Sequence, residues 1–243
     1  MNAETSETLP VTEQENPNTR NLSSLTAAEI VEKMNQEDEL VAAAVGKELP
    51  NVARAVEEIV SRLNQSGRLF YIGTGTSGRL GVLDAAECPP TFGVSADLVQ
   101  AIIAGGYEAC YRAVEASEDD AAASRADLEG RGFTKADVLV GIAASGRTPY
   151  TVGALIYARS LGAFTIALTC VAGSAITQAA ELSIVRLAGG QFEIRSTGAG
   201  TLQTSLDFVG PPPWTDLGPI SPANPYVYTP AASETRRFFR LKP

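Results

Sequence analysis

The run Leu69-Phe70-Tyr71-Ile72-Gly73-Thr74-Gly75-Thr76-Ser77-Gly78-Arg79 decides the fold. Four apolar residues too few for a buried helix run directly into a turn of alternating glycines and hydroxyl side chains. That is the grammar of a buried strand feeding a helix N-terminus. Glycines let the backbone approach a ligand, the first amide N–H groups of the helix favour an anion, and Thr and Ser add donors. Gly75, Thr76, Ser77 and Gly78 therefore read as a phosphate cradle. The spacing also fits a dinucleotide fingerprint, but that fold needs an acid after the second strand to hold the ribose. Ala104-Gly105-Gly106 occupies that place without one.

Outward from this unit the pattern repeats. Short apolar runs at 69–72, 98–103, 138–142, 164–168 and 182–185 alternate with helix-like stretches at 80–86, 107–116, 119–128 and 150–161. Such alternation predicts an α/β fold: a doubly wound parallel sheet of about five strands flanked by helices, with ligands beyond the carboxyl ends of the strands. A second polar loop follows the third run, Ala143-Ala144-Ser145-Gly146-Arg147-Thr148, with Pro149 opening a helix. Ser145, Gly146, Arg147 and Thr148 repeat the device and add a cation, and two such loops at neighbouring strand ends suit a sugar phosphate. Three helices are expected upstream. Thr26 and Glu29 form a capping box that starts one of them. Pro50 suits a first turn, Val52, Val56, Ile59, Val60 and Leu63 gather on one face, and Gly67 ends that helix. The predicted organisation is thus a polar arm with helices at 1–66, a sugar-phosphate-binding domain at 67–185, and a proline-rich, irregular segment at 186–243.

Composition narrows the chemistry. The 243 residues carry 19 Lys plus Arg against 28 Asp plus Glu, a net charge of −9, which excludes nucleic-acid binding through a basic face. With no histidine, imidazole acid/base work, His-based triads and His-ligated zinc are absent, and carboxylates are left as the proton carriers. Cys88, Cys110 and Cys170 lack metal-ligand spacing and read as reduced thiols, so neither metal nor cofactor is expected. The polar, Glu-rich start has no apolar signal core, and no run reaches a membrane span, so a cytoplasmic protein without membrane contact is expected.

Several stretches together resemble the N-acetylmuramic acid 6-phosphate etherase family of the sugar isomerase (SIS) fold. They are residues 12–19, 71–93 with Leu83-Asp84-Ala85-Ala86-Glu87-Cys88-Pro89-Pro90-Thr91-Phe92-Gly93, 103–106, 115–120 and 140–150. The resemblance extends from about residue 10 to 185. It implies removal of the lactyl ether of N-acetylmuramic acid 6-phosphate, giving N-acetylglucosamine 6-phosphate and D-lactate. A base takes the C2 proton of the open-chain sugar, lactate leaves C3 with help from an acid, and water adds back. Two carboxyl groups in different protonation states suffice for such chemistry.

By position in the family motif, Glu87 matches the acid and Glu118 the base, although the sequence leaves the two roles interchangeable. Residues 76–78 and 145–148 match the loops that hold the sugar phosphate. Locally, Glu87 is also what a solvated helix end carries, and Glu118-Asp119-Asp120 is what a helix N-terminus favours. The family further implies a homodimer. Past residue 185 only Ser196-Thr197-Gly198-Ala199-Gly200-Thr201 faintly resembles the family's next loop, without its lysine. On that ground the expected etherase activity is weak or absent and the dimer is in doubt. The alternative is a non-catalytic sugar-phosphate-binding regulator like glucokinase regulatory protein; a sugar-phosphate isomerase ranks third.

Overall fold

A computed structural model describes residues 11–114 and 117–185, together with the backbone of five short strands between 192 and 242. The first ten residues of the polar arm, Glu115 of the 115–120 motif and residues 196–199 lie outside the described residues.

Leu69–Gly73 (β1), Val99–Ile103 (β2), Val138–Ile142 (β3), Phe164–Thr169 (β4) and Leu182–Val185 (β5) form a parallel sheet in the order β2-β1-β3-β4-β5. The expected fold class is present, with each strand within a residue of its expected place. Alternating side chains divide the core between the two faces. Phe70 and Ile72 pack with Leu128, Tyr150, Leu155 and Ile176 on one side, while Leu69 and Tyr71 join Val138, Val140, Ile166 and Leu182 on the other. Ala121–Gly130 (α4), Pro149–Ser160 (α5) and Ala175–Ala179 (α6) cover the first face, and Leu49–Leu63 (α2) and Gly75–Phe92 (α3) the second. Chain order reverses between β1 and β3, so the crevice above their carboxyl ends is the place for a ligand.

Several expectations change. Upstream of the sheet stand two α-helices, Ala27–Gly46 (α1) and α2, preceded by single 3₁₀ turns rather than by a third helix. The Thr26–Glu29 capping box is present. Ala55, Ile59 and Leu63 turn the inner face of α2 to the sheet, whereas Val56 and Val60 are 52% and 49% exposed. The apolar stripe therefore wraps wider than one face. The helix expected over 107–116 is a single 3₁₀ turn, Gly106–Cys110, because Gly105 and Gly106 adopt φ of +82° and +69° where a helix would start. Pro89 and Pro90 do not stop α3, which runs on to Phe92 and ends at Gly93 in the left-handed region.

The proline-rich segment is corrected in part, since it holds antiparallel strands rather than wholly irregular chain. Phe192–Ile194 (β6) pairs with Tyr226–Tyr228 (β9), and Gly200–Ser205 (β7) lies between Thr215–Ile220 (β8) and Phe238–Lys242 (β10). Pro219 falls on β8, an edge strand, the kind of place in a sheet where proline is tolerated.

At the amino ends of β1 and β3, the buried Asp137 carboxylate accepts from the Arg68 backbone N–H (2.9 Å), Arg68 Nη2 (2.9 Å) and the Thr134 N–H (2.8 Å). Burial alone would push its pKa up, but the hydrogen bonds from Arg68 and Thr134 outweigh burial and hold it below the usual carboxylate range. A depressed pKa contributes stability that is present above the unfolded value, about 3.9, and lost as pH falls through the folded value. Asp137→Asn is expected to lower unfolding stability at pH 7 by about 3 kcal/mol, since Arg68 loses its charge partner. Urea midpoints should show that gap narrowing as pH drops below 4.

Candidate functional site

The loop after β1 is built around contacts no larger residue permits. A Cβ on Gly78 would lie 2.7 Å from Ile103 Cγ1 and 2.8 Å from the Gly73 carbonyl oxygen, so α3 begins pressed against β1 and β2. Gly75 adopts φ +50°. Thr74 stands at the N-cap with no side-chain cap bond, and the Thr76 and Ser77 hydroxyls have no hydrogen-bond partner among the described residues. The first turn of α3 thus presents uncommitted N–H and O–H donors to the crevice.

The loop after β3 presents a second set. Gly146 takes φ +67° and sits against the loop after β4, and the Ile176 N–H in the first turn of α6 donates to its carbonyl at 2.9 Å. That third loop is braced in turn: Thr169 Oγ1 donates to the Ala144 carbonyl (3.1 Å) and Ser174 Oγ to the Val171 carbonyl (2.8 Å). Ser145 Oγ accepts from the Arg147 N–H at 3.4 Å. Thr148 occupies the N-cap of α5 but its hydroxyl makes no cap bond, and the exposed Arg147 guanidinium has no partner among the described residues. Charge, hydroxyls and a helix N-terminus are therefore all available for an anion.

Glu118 enters the same crevice. Its Oε1 lies 3.5 Å from where a Cβ on Gly75 would stand. Asp120 satisfies the N-terminus of α4, accepting from the N–H groups of Ala122 (3.0 Å) and Ala123 (2.9 Å), so Glu118 is not consumed as a cap. The Tyr150 N–H, in the first turn of α5, donates to the Glu118 carbonyl at 3.1 Å. The buried Tyr150 hydroxyl donates to the Asp127 carboxylate. Burial pushes the Tyr150 phenol pKa up, and the Asp127 carboxylate pushes it further, so it remains a donor. Tyr150 therefore pins the Glu118 loop to the helix that begins the second cradle.

Glu87 is elsewhere. It is exposed on α3, twelve residues past Gly75, and at 1.5 Å per residue that is roughly 18 Å along the helix. One chain brings Glu118 together with residues 75–78 and 145–148 but does not bring Glu87 to them. Arg79, adjoining the first loop, is also committed: it donates to the carbonyls of Cys110 (3.1 Å) and Arg112 (3.0 Å) and ties down the turn after β2. Sequence reading missed Tyr150, Thr169 and Ser174; only hydroxyls just beyond β4 and a tyrosine in the first turn of α5 hint at them. Among the described residues no three carboxylates or thiols converge as metal ligands, and no helix is long and apolar enough to cross a membrane.

The glucokinase regulatory protein N-terminal SIS domain family matches residues 51–159. The N-acetylmuramic acid 6-phosphate etherase of Actinobacillus succinogenes is 57% identical over 179 residues, covering 74% of this chain and 59% of that protein. N-acetylmuramic acid 6-phosphate etherase 2 of Vibrio cholerae is 51% identical over 195 residues, covering 79% of this chain and 64% of that protein. This chain thus spans about three fifths of the length of the curated relatives it matches. A solved phosphoheptose isomerase from Neisseria gonorrhoeae aligns at TM-score 0.47 and 21% identity, over 68% of this chain and 86% of that one. With identity above 50% to both etherases across some three quarters of its length, the chain belongs to the N-acetylmuramic acid 6-phosphate etherase family and carries a SIS domain.

Proposed function

We propose that this protein cleaves the D-lactyl ether of N-acetylmuramic acid 6-phosphate, giving N-acetylglucosamine 6-phosphate and D-lactate, and that residues 67–185 form the unit that binds the sugar phosphate. The observation that carries this reading is the Glu118 carboxylate lying against Gly75, between two loops rich in donors that have no partner among the described residues. Residues 75–78 and 145–148 hold the phosphate with N–H groups, hydroxyls and the Arg147 guanidinium. Glu118, next to the cradle, takes the proton from C2 of the open-chain sugar. The C3–O bond then breaks, and the ether oxygen takes a proton from Glu87 as lactate leaves. Water adds to the resulting unsaturated aldehyde, its oxygen going to C3 and a proton returning to C2. So written, the reaction uses no metal or cofactor and belongs to a cytoplasmic enzyme acting on a small phosphorylated sugar.

Glu87 takes part only if a second copy supplies it. Leu80 and Leu83 share its exposed face of α3 at 57% and 60% exposure, and Phe92 is 73% exposed at the end of the same helix. Buried against another subunit, this stripe would bring the partner's α3 alongside and complete the site in a homodimer. The second reading, a sugar-phosphate-binding regulator, is favoured by the match to the glucokinase regulatory protein SIS domain. The test is D-lactate release from N-acetylmuramic acid 6-phosphate, with N-acetylglucosamine 6-phosphate binding measured by calorimetry on the same protein. Lactate release is expected, at a low rate because the family's sequence stops near residue 185. Binding without release would favour the regulator instead.

A further inference from the structure

We infer that Pro89 and Pro90 are positioning residues for Glu87, an inference that rests on the etherase reading above. Both prolines lie inside α3, which continues through them to Phe92. Neither has an N–H, so the helix bonds that residues 89 and 90 would donate to the carbonyls of Ala85 and Ala86 cannot form. For Ala86 the loss is complete, because the residues three and four further on are both prolines and neither the 3₁₀ nor the α partner exists. Glu87 sits inside the turn that these two missing bonds would have closed. The proline rings also crowd the carbonyls of residues 85 and 86.

Position matters because the amino end of the helix is tightly held. The amino end of α3 is locked by Gly78 against Ile103 and by Gly81, where a Cβ would lie 2.7 Å from Tyr71 Cβ. The carboxyl end is closed by Gly93, at φ +65°, whose N–H donates to the Pro89 carbonyl at 2.9 Å. The opened turn thus lies between an amino end packed on the sheet and a capped carboxyl end, and the side chain it carries is the one assigned to proton transfer. Two prolines within a helix cost stability. If they served neither packing nor the placing of Glu87, replacing them by alanine would be pure gain.

That contrast gives the test. Pro89→Ala, Pro90→Ala and the double variant restore the donors, and thermal melting, kcat and KM for lactate release are measured beside the wild-type chain. The expected result is a raised Tm in all three, with kcat in the double variant down about a hundredfold and KM within a factor of about two. A raised Tm with unchanged kcat overturns the inference and leaves the etherase reading intact. So does a fall in kcat accompanied by a lowered Tm, which assigns the prolines to folding. No lactate release from the wild-type chain overturns the etherase reading, and the inference with it.

Discussion

Glu118→Gln is expected to cut lactate release roughly 10³-fold while leaving N-acetylglucosamine 6-phosphate binding within a few-fold of wild type. Glutamine keeps the size and hydrogen-bonding reach of the side chain but cannot take a proton, and the donors that hold the phosphate are untouched. Glu87→Gln is expected to be equally inactive. The more informative experiment mixes the two variants. In a homodimer whose site combines Glu118 of one subunit with Glu87 of the other, a mixed dimer has one site with both substitutions and one with neither. Random reassortment makes half the dimers mixed, so activity should return to roughly a quarter of wild type. The roughly 18 Å along α3 between Gly75 and Glu87 is the reason to expect recovery. If mixing restores nothing although both variants are dimeric, each site is confined to one chain, and Glu87 loses its assigned role.

How much of this was legible in sequence differs from element to element for physical reasons. The five strands are short apolar runs flanked by turn residues, and burial on both faces leaves few other ways to read Val138-Leu139-Val140-Gly141-Ile142. Both cradles were readable because glycine and hydroxyl residues at a strand end serve local backbone needs. Glu118 was not readable that way: without its place in a long family motif it looks like dipole compensation, and the structure gives the capping to Asp120 instead. Glu87 was placed only by its position in a family motif, which says nothing of how far along α3 it stands from the cradle. Tyr150 was hidden because its two roles, a backbone bond to Glu118 and a phenol bond to Asp127, link residues 32 and 23 positions apart, beyond any local pattern. The antiparallel strands after residue 185 lack strong alternation, and their pairing is set by partners far along the chain.

Gly146→Ala should impair phosphate-site function more than the same change at Gly75, although both glycines have positive φ and both lie in a cradle. At Gly75 a methyl group meets only Glu118 Oε1, at 3.5 Å, an ordinary contact, so the penalty is the left-handed backbone, about 1–2 kcal/mol. At Gly146 the methyl would stand 2.1 Å from Ser174 Oγ, 2.5 Å from Ser174 Cβ and 2.9 Å from Thr169 Oγ1. Overpacking of that kind adds about 1–3 kcal/mol, and relief requires the loops after β3 and β4 to part. Parting them breaks the bond from Ile176 N–H to the Gly146 carbonyl and shifts Ser145, Arg147 and Thr148 together. The variant should therefore melt earlier and bind N-acetylglucosamine 6-phosphate at least about tenfold more weakly, more than the strain at Gly75 alone would produce. Ser174→Gly removes both of the closest clashing atoms, so the pair Gly146→Ala, Ser174→Gly should regain most of the binding and only part of the melting temperature, the remainder being the backbone strain and the 2.9 Å approach to Thr169 Oγ1, which no change at residue 174 can relieve.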